Sequence, residues 1–176
     1  SFTLGFALVG VYPIGENSAL VVVGVHQYTA FYRELSEQLG KGTGWTWSAH
    51  SMGYNFYGLF CYYLCSPFSF LILLFMKFMY VNEAVTAVIL IKAGLCSVSM
   101  AWYSRKKYPG RGSMAVSLGC MYALSDFLIG YYSNVMWLDC IMLLPVLAYL
   151  IEQLVHTGKW RGYCLVLGYC ILTSYY

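Results

Sequence analysis

The stretch Val81-Asn-Glu-Ala-Val-Thr-Ala-Val-Ile-Leu-Ile-Lys92-Ala-Gly-Leu-Cys-Ser-Val-Ser-Met-Ala-Trp-Tyr103 decides the fold, because its only charged residues are Glu83 and Lys92. About 20 apolar residues in a helix cross a hydrocarbon core about 30 Å thick. Two more runs of that length follow, Ser113 to Tyr132 and Trp137 to Val155, and all three read as membrane spans. Composition agrees: 60% of the 176 residues are hydrophobic, 19% aromatic and only 10% charged. A soluble domain carries about a quarter of its residues as Asp, Glu, Lys and Arg. An ordinary soluble domain is excluded, and no basic patch for nucleic acid appears.

Outward from these spans, Phe68 to Tyr80 is intensely apolar apart from Lys77 but too short to cross, so it reads as a re-entrant or short interfacial helix over 68-80. Residues 2-14 and 162-176 are apolar runs that meet the two ends of the sequence, as spans of a longer protein would. The expectation is an all-α, polytopic transmembrane helical bundle, 1-176 being the N-terminal part of a larger membrane domain. Its spans are about 2-14, 81-103, 113-132, 137-155 and 162-176, with an outer loop over 15-67.

Orientation follows from charge. Arg105, Lys106, Lys107 and Arg111 fill one connection, and Lys159 and Arg161 another, which assigns both to the cytoplasm. If 68-80 does not cross, the loop 15-67 and the turn Ser133 to Met136 are extracytoplasmic; if it crosses, the loop moves to the cytoplasm. Inside the loop, Tyr28, Phe31, Tyr32, Leu35 and Leu39 recur at helical spacing opposite Arg33, Glu34, Glu37 and Gln38, the pattern of an amphipathic surface helix. Either it is a plain anchor or it floors a groove for a lipid-linked molecule. From Trp45 to Pro67, Trp and Tyr alternate with Gly and Ser. Such rings serve equally as an interfacial belt or as stacking surfaces for sugars.

Ionisable side chains in apolar surroundings mark the candidate site. A charge at the bilayer centre costs about 2.5 to 3.5 kcal/mol on insertion scales, so it faces protein or a water-filled cavity. Lys92 and Asp126 either pair with each other or line a polar cavity for phosphate or sugar. Asn134, Trp137 and Asp139 cluster at the outer start of a helix, where a carboxylate also gains from the helix dipole. Five of the seven cysteines, Cys96, Cys120, Cys140, Cys164 and Cys170, fall in expected spans and read as small hydrophobes. Cys61 and Cys65, one helical turn apart, are packing residues or a disulfide. No phosphate-binding glycine loop, zinc-ligand spacing or nucleophile elbow occurs.

An ordered series of short motifs runs through the chain: Tyr12-Pro13 with Gly15, His26-Gln27-Tyr28 with Phe31, Ser48, Gly53-x-Asn55-Phe56 with Gly58, Tyr62-Tyr63, Ser66-Pro67-Phe68, Lys92, Asn134-x-x-Trp137-Leu138-Asp139 and Thr173-Ser174-Tyr175-Tyr176. Through them the chain resembles the bacterial YfhO membrane proteins, of GT-C glycosyltransferase type. The resemblance implies a plasma-membrane, multi-pass enzyme that takes a sugar from a polyprenyl-phosphate carrier and attaches it outside the cell to a polymer such as a teichoic acid. It implies membrane lipid, the lipid-linked sugar and the polymer as partners, with no nucleic acid. An outer carboxylate would act as the base, and some proteins of this fold add a divalent metal, for which no ligand set is visible here. The resemblance leads one to expect an acidic residue a few positions before His26, where this chain has Val23. That leaves Asp139 and His26, with Glu16 also in reach, as catalytic candidates, or a chain lacking its base. Gln27, Tyr28, Ser48, Asn55, Tyr62, Tyr63, Lys92, Asn134 and Trp137 are the expected substrate-binding residues. The other function considered is a non-catalytic protein that binds or translocates lipid-linked glycans.

Overall fold

The structure, a computed structural model, describes residues 8, 28–41 and 55–174. Among these residues there is no strand. The helices are α1 (Thr29–Lys41), α2 (Phe56–Leu59), which runs on as a π-helix over Phe60–Leu64, α3 (Pro67–Phe75), α4 (Val81–Lys107), α5 (Gly112–Ala123), α6 (Asp126–Tyr131), α7 (Trp137–Thr157) and α8 (Arg161–Thr173). Among the described residues, three runs are long and apolar enough to cross a membrane: α4, Gly112–Tyr131 (α5 with α6) and α7. The chain is thus an all-helical bundle of membrane type. The expected span 2-14 lies outside the described residues, and α8 is a shorter apolar helix.

Helix α4 is the hub. Its apolar window is 44% buried, whereas those of the other two long runs are only 17% buried and show their side chains outward. Long apolar faces of this kind suit lipid or further helices. Helix α5 returns antiparallel along α4, and the two approach closely at Gly119. A Cβ there would meet the Ser97 carbonyl oxygen at 2.6 Å and the Ala101 methyl at 3.1 Å. Small residues at a helix crossing let backbones come near enough for dispersion to hold them together in lipid.

Helix α7 runs parallel to α4. Lys92 faces Asp139 near one end, and near the other Tyr103 donates to Glu152 at 2.9 Å, with Lys107 bonded to the same carboxylate. Pro145 lies inside α7 and brings no N–H for the Ile141 carbonyl four residues back. The Tyr122 hydroxyl of α5 donates to that carbonyl at 2.7 Å, so the break in the ladder is repaired from a neighbouring helix. Gly158, at φ +67°, then ends α7 in the left-handed conformation.

The second expected span is matched by the run Gly112–Tyr131, but that run is interrupted. The helix stops at Leu124–Ser125, and Asp126 opens the separate helix α6, exposed to the surroundings. Apolar content over 113-132 is unbroken apart from Asp126, so only backbone geometry reveals the interruption.

Around the Val81 end of α4 sit α1, α2 and α3. The amphipathic reading of α1 holds in its burial: Tyr28, Tyr32 and Leu35 are buried and Arg33 and Glu37 exposed, while Leu39 is exposed as well. Its apolar face packs on α3, α4 and the π-helix rather than on solvent, and Thr29 donates to Asn82 at 2.9 Å. Between the π-helix and α3 the chain bends by 96°. Pro67 explains the bend, because its ring cannot follow a helical turn. Ser66 caps the new helix by accepting from the Phe68 N–H. This apolar pair is either one broken span or a re-entrant hairpin.

Candidate functional site

A lysine inside an apolar helix needs a partner, and Lys92 finds it on α7. Its ammonium donates to Asp139 Oδ2 at 2.9 Å and to the Val135 carbonyl at 2.9 Å, and lies 4.9 Å from the centre of the Phe68 ring. Both charged side chains are 0% exposed. The pairing of Lys92 with Asp126 weighed from the sequence is corrected: Asp126 is exposed at the start of α6, and Asp139 is the partner. The physical reason is direction. Parallel α4 and α7 bring the first turn of α7 beside Lys92. Lys92 stands near the middle of α4, about 16 Å of helix from Val81 and about 22 Å from Lys107 at the basic end.

Asp139 stands in the first turn of α7, where unsatisfied backbone N–H groups favour a negative charge. The preceding turn is built by backbone bonds, with Asn134 N–H donating to the Tyr131 carbonyl and Trp137 N–H to that of Asn134. Only one carboxylate oxygen is bound. Asp139 Oδ1 and the Tyr28 hydroxyl are the two buried side-chain polar atoms among the described residues without a hydrogen-bond partner. Unsatisfied buried groups are rare in proteins and coincide with strain, catalysis or a bound molecule. Tyr32, Cys96, Tyr169 and Cys170 lie within electrostatic reach of the carboxylate.

Aromatic rings close this region toward α1. Tyr28 and Tyr32 stack at 6.3 Å, Tyr63 meets Tyr28 edge-on at 5.9 Å and Phe31 at 5.0 Å, and Tyr62 lies 4.4 Å from Tyr63. Burial pushes the phenols of Tyr28 and Tyr32 well above their ordinary value. Tyr32 adds to the rise at Tyr28, and the charge of Asp139 adds to that at Tyr32. Both rings therefore stay protonated at any physiological pH. The Tyr32 hydroxyl shares a hydrogen bond with Ser69 at 3.3 Å.

Other expected site residues are placed differently. Asn55 is exposed and caps α2, its Oδ1 accepting from the Tyr57 N–H at 3.0 Å. Trp137 is half-buried and packs against Tyr131 at 5.6 Å. It lines a groove of about 570 Å³ with Phe127, Cys140 and Ile141 on one side and Cys170 and Ile171 on the other. His26, Gln27 and Ser48 lie outside the described residues, as do Val23 and Glu16. Tyr32, Phe68 and the Val135 carbonyl were missed from the sequence. The cost of burying Lys92 announces that it has partners but does not name them.

The seven cysteines carry no disulfide: each of them, Cys61 and Cys65 included, is a free thiol. Among the described residues no three His, Cys, Asp or Glu side chains gather as a metal ion requires, and the nearest charge to Asp139 is an ammonium. The divalent metal implied by the resemblance thus finds no fitting donor set there.

No curated protein and no solved structure matches this chain. A family does, the one described as bacterial membrane protein YfhO, over residues 2–176. With that match spanning almost every residue, beside a helical bundle of membrane type, the chain belongs to the YfhO family of bacterial membrane proteins.

Proposed function

We propose that this protein serves as a membrane glycosyltransferase, moving a sugar from a polyprenyl-phosphate carrier to a polymer of the cell surface such as a teichoic acid. The observation that carries this reading is the buried Asp139 carboxylate with Oδ2 tied to Lys92 and Oδ1 unpartnered. A hydroxyl of the acceptor donates to Oδ1, loses its proton there, and forms a bond to the anomeric carbon of the sugar. The bond between that carbon and the carrier's phosphate oxygen breaks, and the lipid phosphate leaves with the electron pair. General-base assistance of this type contributes about 10² to 10⁴ in rate. Tyr62 and Tyr63, both half-buried, offer ring surface for the sugar, and the 570 Å³ groove lined by Trp137 and Cys140 lies beside the turn that carries Asp139. On this reading the Asp139 end of the bundle faces outward.

One observation favours the second reading, a non-catalytic protein that binds or translocates lipid-linked glycans. Asp139 is fully enclosed and neutralised, so an acceptor reaches it only if the surrounding side chains move. Glycosylation of the surface polymer in cells carrying the full-length protein separates the two. Transfer predicts that Asp139→Asn abolishes the modification while membrane insertion is kept. Unchanged glycosylation in Asp139→Asn, with a gain in Val23→Asp, would instead make this a chain without its base.

A further inference from the structure

We infer that Lys92 is a positioning residue for Asp139 and not a ligand of the substrate's phosphate, an inference that rests on the transfer reading above. A lysine ammonium has three protons to place. Here the geometry gives each a destination inside the protein: Asp139 Oδ2 at 2.9 Å, the Val135 carbonyl at 2.9 Å and the face of Phe68 with its centre 4.9 Å away. The side chain is wholly enclosed, so no surface of the ammonium is turned toward a ligand.

What this arrangement fixes is the turn that carries the base. One contact holds the carboxylate and the other the backbone four residues earlier, so Lys92 pins both ends of the segment Val135 to Asp139. With Oδ2 bound, the carboxylate is held to one rotation and presents Oδ1 alone. Phe68 stands in the first turn of α3, just past the bend, which extends the same clamp to the bent apolar pair. Among the described residues, the titratable groups facing the carboxylate are Tyr32 from α1, Lys92 and Cys96 from α4, and Tyr169 and Cys170 from α8. Lys92 is the cation among them.

The test uses full-length protein carrying Lys92→Arg, Lys92→Met or Asp139→Asn. Surface-polymer glycosylation is measured in cells, and binding of undecaprenyl phosphate to the purified protein by native mass spectrometry. Misplacing a catalytic group by about 1 Å costs about 10²-fold in rate. Positioning therefore predicts that both Lys92 variants lose about 10²-fold in transfer while binding undecaprenyl phosphate as the wild type does. Lys92→Arg keeps the charge and so guards against a fold lost through an unpaired Asp139. Weakened binding of undecaprenyl phosphate would make Lys92 a phosphate ligand and overturn the inference. So would transfer at the wild-type rate in either Lys92 variant, or failure of both to accumulate in the membrane, which would leave Lys92 a folding residue only. If Asp139→Asn still transfers, the transfer reading itself falls; if Asp139→Asn is dead and the Lys92 variants are active, only the positioning role falls.

Discussion

At the scale of single residues, the most informative polar contact outside the site is the one Tyr122 makes to Ile141. The carbonyl of Ile141 is orphaned by Pro145, and the Tyr122 hydroxyl is its partner at 2.7 Å. Leaving a buried acceptor unsatisfied costs about 1 to 3 kcal/mol. Tyr122→Phe is therefore expected to lower the melting temperature of the purified protein, and Pro145→Ala, which restores the helical N–H, should remove most of that loss. A double-mutant cycle checks the claim: equal destabilisation by Tyr122→Phe in both backgrounds would show that the hydroxyl does nothing for the carbonyl. The same reasoning shows what was legible in the sequence at this scale. Pro145 and Lys92 each announce an unmet need, a carbonyl without a donor and a charge without a counter-ion. Neither says who answers, because Tyr122 and Asp139 come from other helices and are brought near by packing alone.

At the scale of elements, α4 and α5 are held by closeness rather than by side-chain bulk. The carbonyl of Ser97 lies 2.6 Å from where a Cβ on Gly119 would stand, and it is backbone that cannot swing away. Gly119→Val should force the helices apart and destabilise by about 1 to 3 kcal/mol, in the range of overpacked cores. Gly168, with open space around its Cβ position, is the control, and Gly168→Ala should melt like the wild type. Thermal unfolding in detergent checks both; equal melting of the two variants would disprove the close contact. The long apolar runs at 81-103 and 137-155 could be read directly, since hydropathy alone sets their length. Two features were not readable. The stop at Leu124–Ser125 lies in a run that is apolar on both sides, and the π-helix over Phe60–Leu64 leaves no periodic signature distinct from an α-helix. The surface helix was half legible: its apolar stripe is real, but the stripe seats on α3 and α4, and sequence gives a helix no address.

For the whole molecule the open question is which face the 55–75 region sees. The bend at Pro67 places Phe68 beside Lys92, and Lys92 is about 22 Å along α4 from Lys107. Helix α1 meanwhile reaches the first turn of α4 through Thr29 and Asn82, and the π-helix packs on α8. These contacts favour a pair that enters and leaves at the end of the bundle that holds Asn134, with its bend beside the ion pair. A crossing segment would instead have to carry on to the basic end. The hairpin is therefore expected to be re-entrant, with Tyr57 and Ser133 on one side of the membrane and Tyr108 and Lys159 on the other. Basic residues beside the second pair assign that side to the cytoplasm. Single cysteines at 57, 133, 108 and 159, introduced into a full-length protein whose native cysteines are replaced by serine or alanine, can be treated in intact cells with a membrane-impermeant maleimide. Labelling of positions 57 and 133 but not of 108 and 159 is the expected pattern. Labelling at 133 with protection at 57 would mean that the pair crosses as one broken span. The aromatic surface of Tyr62 and Tyr63 would then lie on the chain's cytoplasmic approach, and a substrate delivered from outside would have no path to Asp139 along it.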